Sequence, residues 1–203
     1  IDPTTGLPRN IKMSEIRDHH HRPVSCYATT MAGVVLKEAH RLSLYCPFRK
    51  HDYQALLTSR FWNGEFFIEH LRTSRISGDA NVFAYFCGVV DSKKMFLQSL
   101  QAIIDHHLDS PYPLKYSTSR DHHRVSSYLA KWLAPNYEGD TVWLHMGFCF
   151  VLSLMRYDTV QASAYAKKLE ALVLRHKNCP EVLNAQGNLY QSAFYKSDES
   201  MSW

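Results

Sequence analysis

Two stretches of this chain are apolar nearly all round, and they limit what it can fold into. Residues Asp79–Val90 read DANVFAYFCGVV, and Asp140–Arg156 carries the apolar run Val142–Met155, interrupted by His145 and Ser153. A helix without a polar face is stable only when other elements cover it on most sides. The longer run is too short to cross a bilayer, which takes ~20 apolar residues. Both are therefore expected as buried helices.

Each is followed by a segment of different character. After the first, Asp91-Ser92 opens a capped helix whose Phe96, Leu97, Leu100, Ile103, Ile104 and His107 form one stripe over 91–108. After the second, Thr159–His176 places Tyr165, Leu169, Leu172 and Val173 on one face, with Lys167, Lys168 and Glu170 elsewhere. An earlier pair has the same order. Met31, Val34, Val35, Ala39 and Leu42 mark a helix over Thr29–Leu44, and a polar-faced segment over Lys50–Phe61 follows. Buried helix then amphipathic helix, three times, at intervals of roughly fifty to sixty residues, is near the period of a helical-hairpin array. Such an array needs an inner and an outer layer, as in a solenoid or a closed toroid. The long aromatic-rich links Trp62–Ser77, Ser110–Gly139 and Asn178–Trp203 read as rims around a pocket and favour the toroid. The expected fold is all-α, half of an (α/α)6 toroid. With Ile1 at its start and Trp203 inside a motif, 1–203 is read as a single fragment of a larger domain. The remaining half is expected from missing sequence or another chain.

A formal charge of +4, with 23 Lys and Arg scattered through the chain, provides no basic run to neutralise phosphates, so nucleic acid is not an expected partner. Cys26, Cys46, Cys87, Cys149 and Cys179 are odd in number and form no C-x-x-C pair. They point to neither a disulfide framework nor a zinc site, which leans toward a reducing, cytoplasmic setting. No leader and no membrane span is read.

The 12 His, 10 Phe, 12 Tyr and 4 Trp are more suggestive. Arg17-Asp18-His19-His20-His21-Arg22-Pro23-Val24-Ser25-Cys26-Tyr27 is echoed by Arg120-Asp121-His122-His123-Arg124-Val125-Ser126-Ser127-Tyr128. Either corresponding loops line one face, or the likeness is chance. Adjacent histidines do not readily face one ion, and no i, i+4 partner of a zincin site accompanies them, so no metal is expected. Asp105-His106-His107 falls within an amphipathic helix without companion aspartates, which removes it as a phosphoesterase signature. No phosphate-binding, dinucleotide-binding or serine-hydrolase motif is present, and no cofactor is expected.

The tail reads Pro180-Glu181-Val182-Leu183-Asn184-Ala185-Gln186-Gly187-Asn188-Leu189-Tyr190, then Ser200-Met201-Ser202-Trp203. It resembles the closing segment of the six-hairpin (α/α)6-barrel glycosidases, the group of glucoamylases and the amylo-1,6-glucosidases of glycogen debranching. There a glutamate follows the last outer helix and a Ser-containing sequence opens the final inner one. Ser77-Gly78-Asp79-Ala80-Asn81-Val82 and Gly139-Asp140-Thr141-Val142-Trp143 are similar to two further helix-opening loops. Val182 stands where the family has glutamine beside the glutamate.

The resemblance implies the C-terminal half of such a domain, acting on an oligo- or polysaccharide by inverting hydrolysis of α-glucosidic bonds. Glu181 would be the general base activating water, its acid partner ~6.5–9.5 Å away in an upstream hairpin outside this chain. The other reading of Glu181 is a solvated loop carboxylate, or a helix-end charge after Pro180. Asp79, Asn81, Asp140, Trp143, Tyr190 and Trp203 are the substrate-binding candidates. Asp79 and Asp140 are read first as N-caps of their own helices and only then as substitutes for the acid, and Trp62, Trp143, Tyr190 and Trp203 first as core and then as sugar platforms. The rivals are a non-enzymatic helical-hairpin scaffold, or a lyase or epimerase using Tyr and His.

Overall fold

A computed structural model describes residues 1–9, 15–17, 22–120 and 132–197. Among these it is mostly helical, with one two-stranded sheet. The chain divides into two compact units, Ile1–Ala102 and Ile103–Trp203.

In the first unit, α1 (Cys26–Arg41) begins where the Ser25 hydroxyl accepts the Ala28 N–H at 3.0 Å, and ends with His40 and Arg41 against the helix dipole. Its buried face is Cys26, Thr29, Thr30, Ala32 and Gly33. This differs from the expected stripe, since Val35 and Leu42 are each 54% exposed. The reason is closeness of approach. A Cβ on Gly33 would stand 2.8 Å from Val89 and 2.9 Å from Tyr53. Thr29 and Thr30 can be buried because each donates its hydroxyl to the carbonyl four residues back, at 2.8 and 3.0 Å. Helix α2 (Tyr53–Arg60), capped by Asp52 on Ala55 N–H, packs on α1, as does α3 (Gly78–Phe86).

Helix α3 is buried from Gly78 through Tyr85, as its sequence requires. It stops at Phe86, four residues before the expected end, and Gly88 turns the chain at φ +63°. Ser92 caps α4 (Lys93–Asp105) through a 3.4 Å bond from Met95 N–H. The Tyr85 ring meets Phe96 at 5.1 Å and its hydroxyl pairs with Ser99 at 3.0 Å, so α3 and α4 are in contact as a pair. Trp62–Ser77 is stitched by bridges Trp62↔Phe67 and Ile68↔Ile76.

In the second unit, β1 (Val142–Trp143) runs directly into α5 (Leu144–Leu154), and α6 (Thr159–His176) leads to β2 (Val182–Leu183). The strands are antiparallel, with Val142 opposite Leu183 and Trp143 opposite Val182. That pairing delays the expected helix at Asp140, because residues 142–143 are extended. Helix α6 matches its expected bounds, capped by Asp158 and closed by Lys177 at φ +51°. Phe150 of α5 meets Tyr165 of α6 at 5.3 Å. Full coverage of α5 is not observed. Phe148, Leu152 and Met155, at 38, 50 and 56% exposure, form an open stripe, while Met146, Phe150 and Val151 are buried.

Candidate functional site

Glu181 precedes β2, and its carbonyl accepts the Leu144 N–H at 3.4 Å, which fixes it beside the start of α5. Its carboxylate is half-buried and accepts the Tyr195 hydroxyl on Oε2. Tyr195 is brought back by Ser192 and Ser197. The Ser192 hydroxyl donates to Leu133 O at 2.5 Å, and Ser197 Oγ accepts Val182 N–H at 2.8 Å.

Around this pair stands a cluster of rings. Tyr137 lies 4.8 Å from Trp143, 5.5 Å from Tyr190 and 5.4 Å from Tyr195. Burial, then the Tyr195 hydrogen bond and the Glu181 charge, raise the Tyr137 phenol above the usual tyrosine range. Burial, then the bond to Glu181, raise Tyr195 as well. Both phenols are therefore neutral hydrogen-bonding groups at ordinary pH.

The two candidate platforms here are core residues. Trp143 is 6% exposed, its Nε1–H donating to Tyr137 O and Thr141 Oγ1, both at 3.2 Å. Tyr190 is 5% exposed and donates to Pro135 O at 2.8 Å. Neither ring offers an open face for stacking. Tyr190 still contributes to a polar cavity of about 300 Å3, shared with Asn136, Asp140, Thr141, Asn184 and Gln186. Asp140 is not the N-cap of α5, a position held by Trp143. It instead accepts Asn136 Nδ2–H at 2.5 Å.

Asp79 and Asn81 belong to the first unit and are buried. Asp79 does not cap α3, where Ser77 is the N-cap residue. Its Oδ2 receives Arg22 at 2.5 Å, and Arg17 approaches Oδ1 at 3.7 Å. Burial alone would raise its pKa, but the Arg22 and Arg17 guanidiniums override that and hold it below the usual carboxylate range. A carboxylate held ionised is not a proton donor, which removes Asp79 as a substitute acid. The same network includes Glu69, 3.0 Å from Arg17, and Glu15, 3.0 Å from Arg22 and 2.5 Å from the Ser25 hydroxyl. Asn81 is held by Phe67 N–H and Phe67 O, both at 2.8 Å, by Ser77 O at 3.0 Å and by the Ser99 hydroxyl at 3.1 Å. Its amide joins the 62–77 link to α3.

Reading the sequence missed Glu15, Arg22, Glu69, Tyr137 and Tyr195. For Arg22 a signal existed in the Arg-Pro step of the echoed loop; for Tyr137 and Tyr195 only the density of tyrosines pointed that way. The clusters His19–His21 and His122–His123, and Trp203, lie outside the described residues. Among the described residues no group of three His, Cys, Asp or Glu could hold a metal ion.

Compared with known proteins, the chain matches no family model and no curated sequence.

Proposed function

We propose that this protein is an inverting glycoside hydrolase of α-linked glucosides, with Glu181 as general base. The observation that carries the reading is the Glu181–Tyr195 pair. A half-buried carboxylate after an outer-type helix is held by a neutral phenol, two rings from a polar cavity lined by Asp140 and Tyr190. A general base needs a fixed orientation and access to one water, and the Tyr195 donor on Oε2 supplies the orientation. Amide, carboxylate and hydroxyl groups of that cavity suit a substrate made of hydroxyls. In this reading α1/α2, α3/α4 and α5/α6 are successive inner and outer pairs of an (α/α)6 toroid, working in the cytoplasm.

The test is hydrolysis of maltooligosaccharides and an aryl α-glucoside by the protein at its full natural length, with the anomer released followed by NMR. Initial release of β-glucose, lost in Glu181→Gln, is expected. Absence of hydrolysis, or equal turnover by the Gln variant, overturns the proposal.

The second reading, a non-enzymatic hairpin scaffold, is favoured by one observation. An apolar groove of about 500 Å3 runs between α5 and α6, lined by Phe148, Leu152, Leu169 and Leu174. Retention of a protein partner by a chain without glycosidase activity would favour it.

A further inference from the structure

The first unit contains a second concave site, built from residues 1–102 alone. A cavity of about 510 Å3 is lined by polar Arg9, Glu15, Arg22 and Tyr27 and by apolar Met31, Val35 and Phe48. That volume lies within the ~300–1,000 Å3 of small-molecule pockets. It adjoins the buried ion network through Glu15 and Arg22, and three properties of its walls restrict the ligand.

The first is charge. Arg22 is committed to Asp79 at 2.5 Å and Glu15 at 3.0 Å, and Arg17 to Glu69 at 3.0 Å. An ionic ligand at Arg22 or Glu15 would have to break one of these buried pairs, leaving a like-sized charge uncompensated, which leaves the exposed Arg9 as the lining charge open to an anion. A neutral ligand leaves them intact. The second is hydrogen-bonding capacity. Arg22 is 6% exposed, and its Nε–H is buried with no partner among the described residues. Both Glu15 side-chain bonds end on Oε2. Tyr27 adds a hydroxyl that donates and accepts. The open Glu15 oxygen and the Tyr27 hydroxyl together match a ring carrying several hydroxyls. The third is the apolar wall. Tyr27, braced edge-on by Phe83 at 5.2 Å, stands with Phe48 and Met31 as carbon surface for the C–H face of such a ring.

We infer that this cavity binds the ring of a neutral sugar residue, with Glu15 and Tyr27 meeting its hydroxyls and Met31 and Phe48 its carbon face. The choice of ligand class rests on the carbohydrate reading above; the matched charges and mixed hydrogen-bonding walls do not.

The experiment is calorimetric titration of glucose and maltose into the full-length protein carrying Glu181→Gln, so that no hydrolysis occurs, with inorganic phosphate as the ionic probe. Glu15→Gln, Tyr27→Phe and the cavity-filling Met31→Trp are then added singly. Sugar binding weakened about tenfold by each, with phosphate inert, is expected. If Glu15→Gln impairs folding, Tyr27→Phe and Met31→Trp decide. Unchanged sugar affinity in those variants overturns the inference, as does phosphate binding in place of sugar or no sugar binding at all. Hydrolysis by the protein with Glu181 intact is scored separately. Cavity-dependent binding without hydrolysis upholds this site and overturns the glycosidase reading; hydrolysis with cavity-independent binding does the reverse.

Discussion

Tyr195 donates its hydroxyl to Glu181 Oε2 across fourteen residues of sequence, placing a neutral phenol against the proposed base. If Glu181 activates water, Glu181→Gln lowers kcat by ~10²–10⁴-fold while KM for maltooligosaccharides stays nearly constant. Tyr195→Phe removes the hydrogen bond that orients the carboxylate, so kcat falls by a smaller factor than in Glu181→Gln. Unchanged kcat in Tyr195→Phe would show that this bond does not position the base.

Tyr190 tests how the ring cluster responds to alkali. Burial raises its phenol to about 12, and the neutral hydroxyl is bonded to Pro135 O. A pKa raised on folding contributes stability that is complete below the ordinary tyrosine value of ~10 and is lost as pH rises through the folded value. Denaturant midpoints should therefore fall between about pH 10 and 12, less steeply in Tyr190→Phe. At neutral pH that variant should lose about 1 kcal/mol.

Asp79 behaves oppositely. Its pKa is depressed on folding, so its contribution is present above the ordinary carboxylate value and disappears as pH falls through the lower, folded one. Asp79→Asn leaves the Arg22 guanidinium buried without its closest partner and should cost about 3–5 kcal/mol at pH 7. Urea melts at pH 7 and pH 3 provide the check. The difference between wild type and variant should shrink at the acid end.

Gly147 is a close-approach site within α5. A Cβ there would run into the carbonyl of Pro113. Because backbone gives way less easily than a side-chain tip, Gly147→Ala should destabilise by about 1–3 kcal/mol, against the ordinary helix preference for alanine. An unchanged or higher Tm would show that α5 can move away from the 113–114 segment.

The open face of the second unit predicts association. Leu152 is 50% and Leu174 69% exposed beside the same apolar groove. Residues 1–203 alone should sediment with a concentration-dependent weight average. The double change Leu152→Glu and Leu174→Glu should restore the monomer. A wild-type monomer at all concentrations would contradict this.

The helical elements were readable because their causes are local. The α6 period returned its bounds, Ser92 marked the start of α4, and the all-round apolar Asp79–Val90 segment forms a helix buried from Gly78 to Tyr85. The position of Glu181 after α6 was equally legible, since it depends only on order along the chain. What each polar side chain does was not. Arg22 meets Asp79 across 57 residues, and Tyr190 meets Pro135 across 55. Those partnerships turned two site candidates into a buried ion pair and a core tyrosine. The choice of face on α1 depended on whether Gly33 would stand against Tyr53 and Val89, so small residues were buried and Val35 was left open. Periodicity names the faces a helix has. Which face is covered, and which charge is paired, is decided by packing between segments far apart in sequence, where the costs of burial are met.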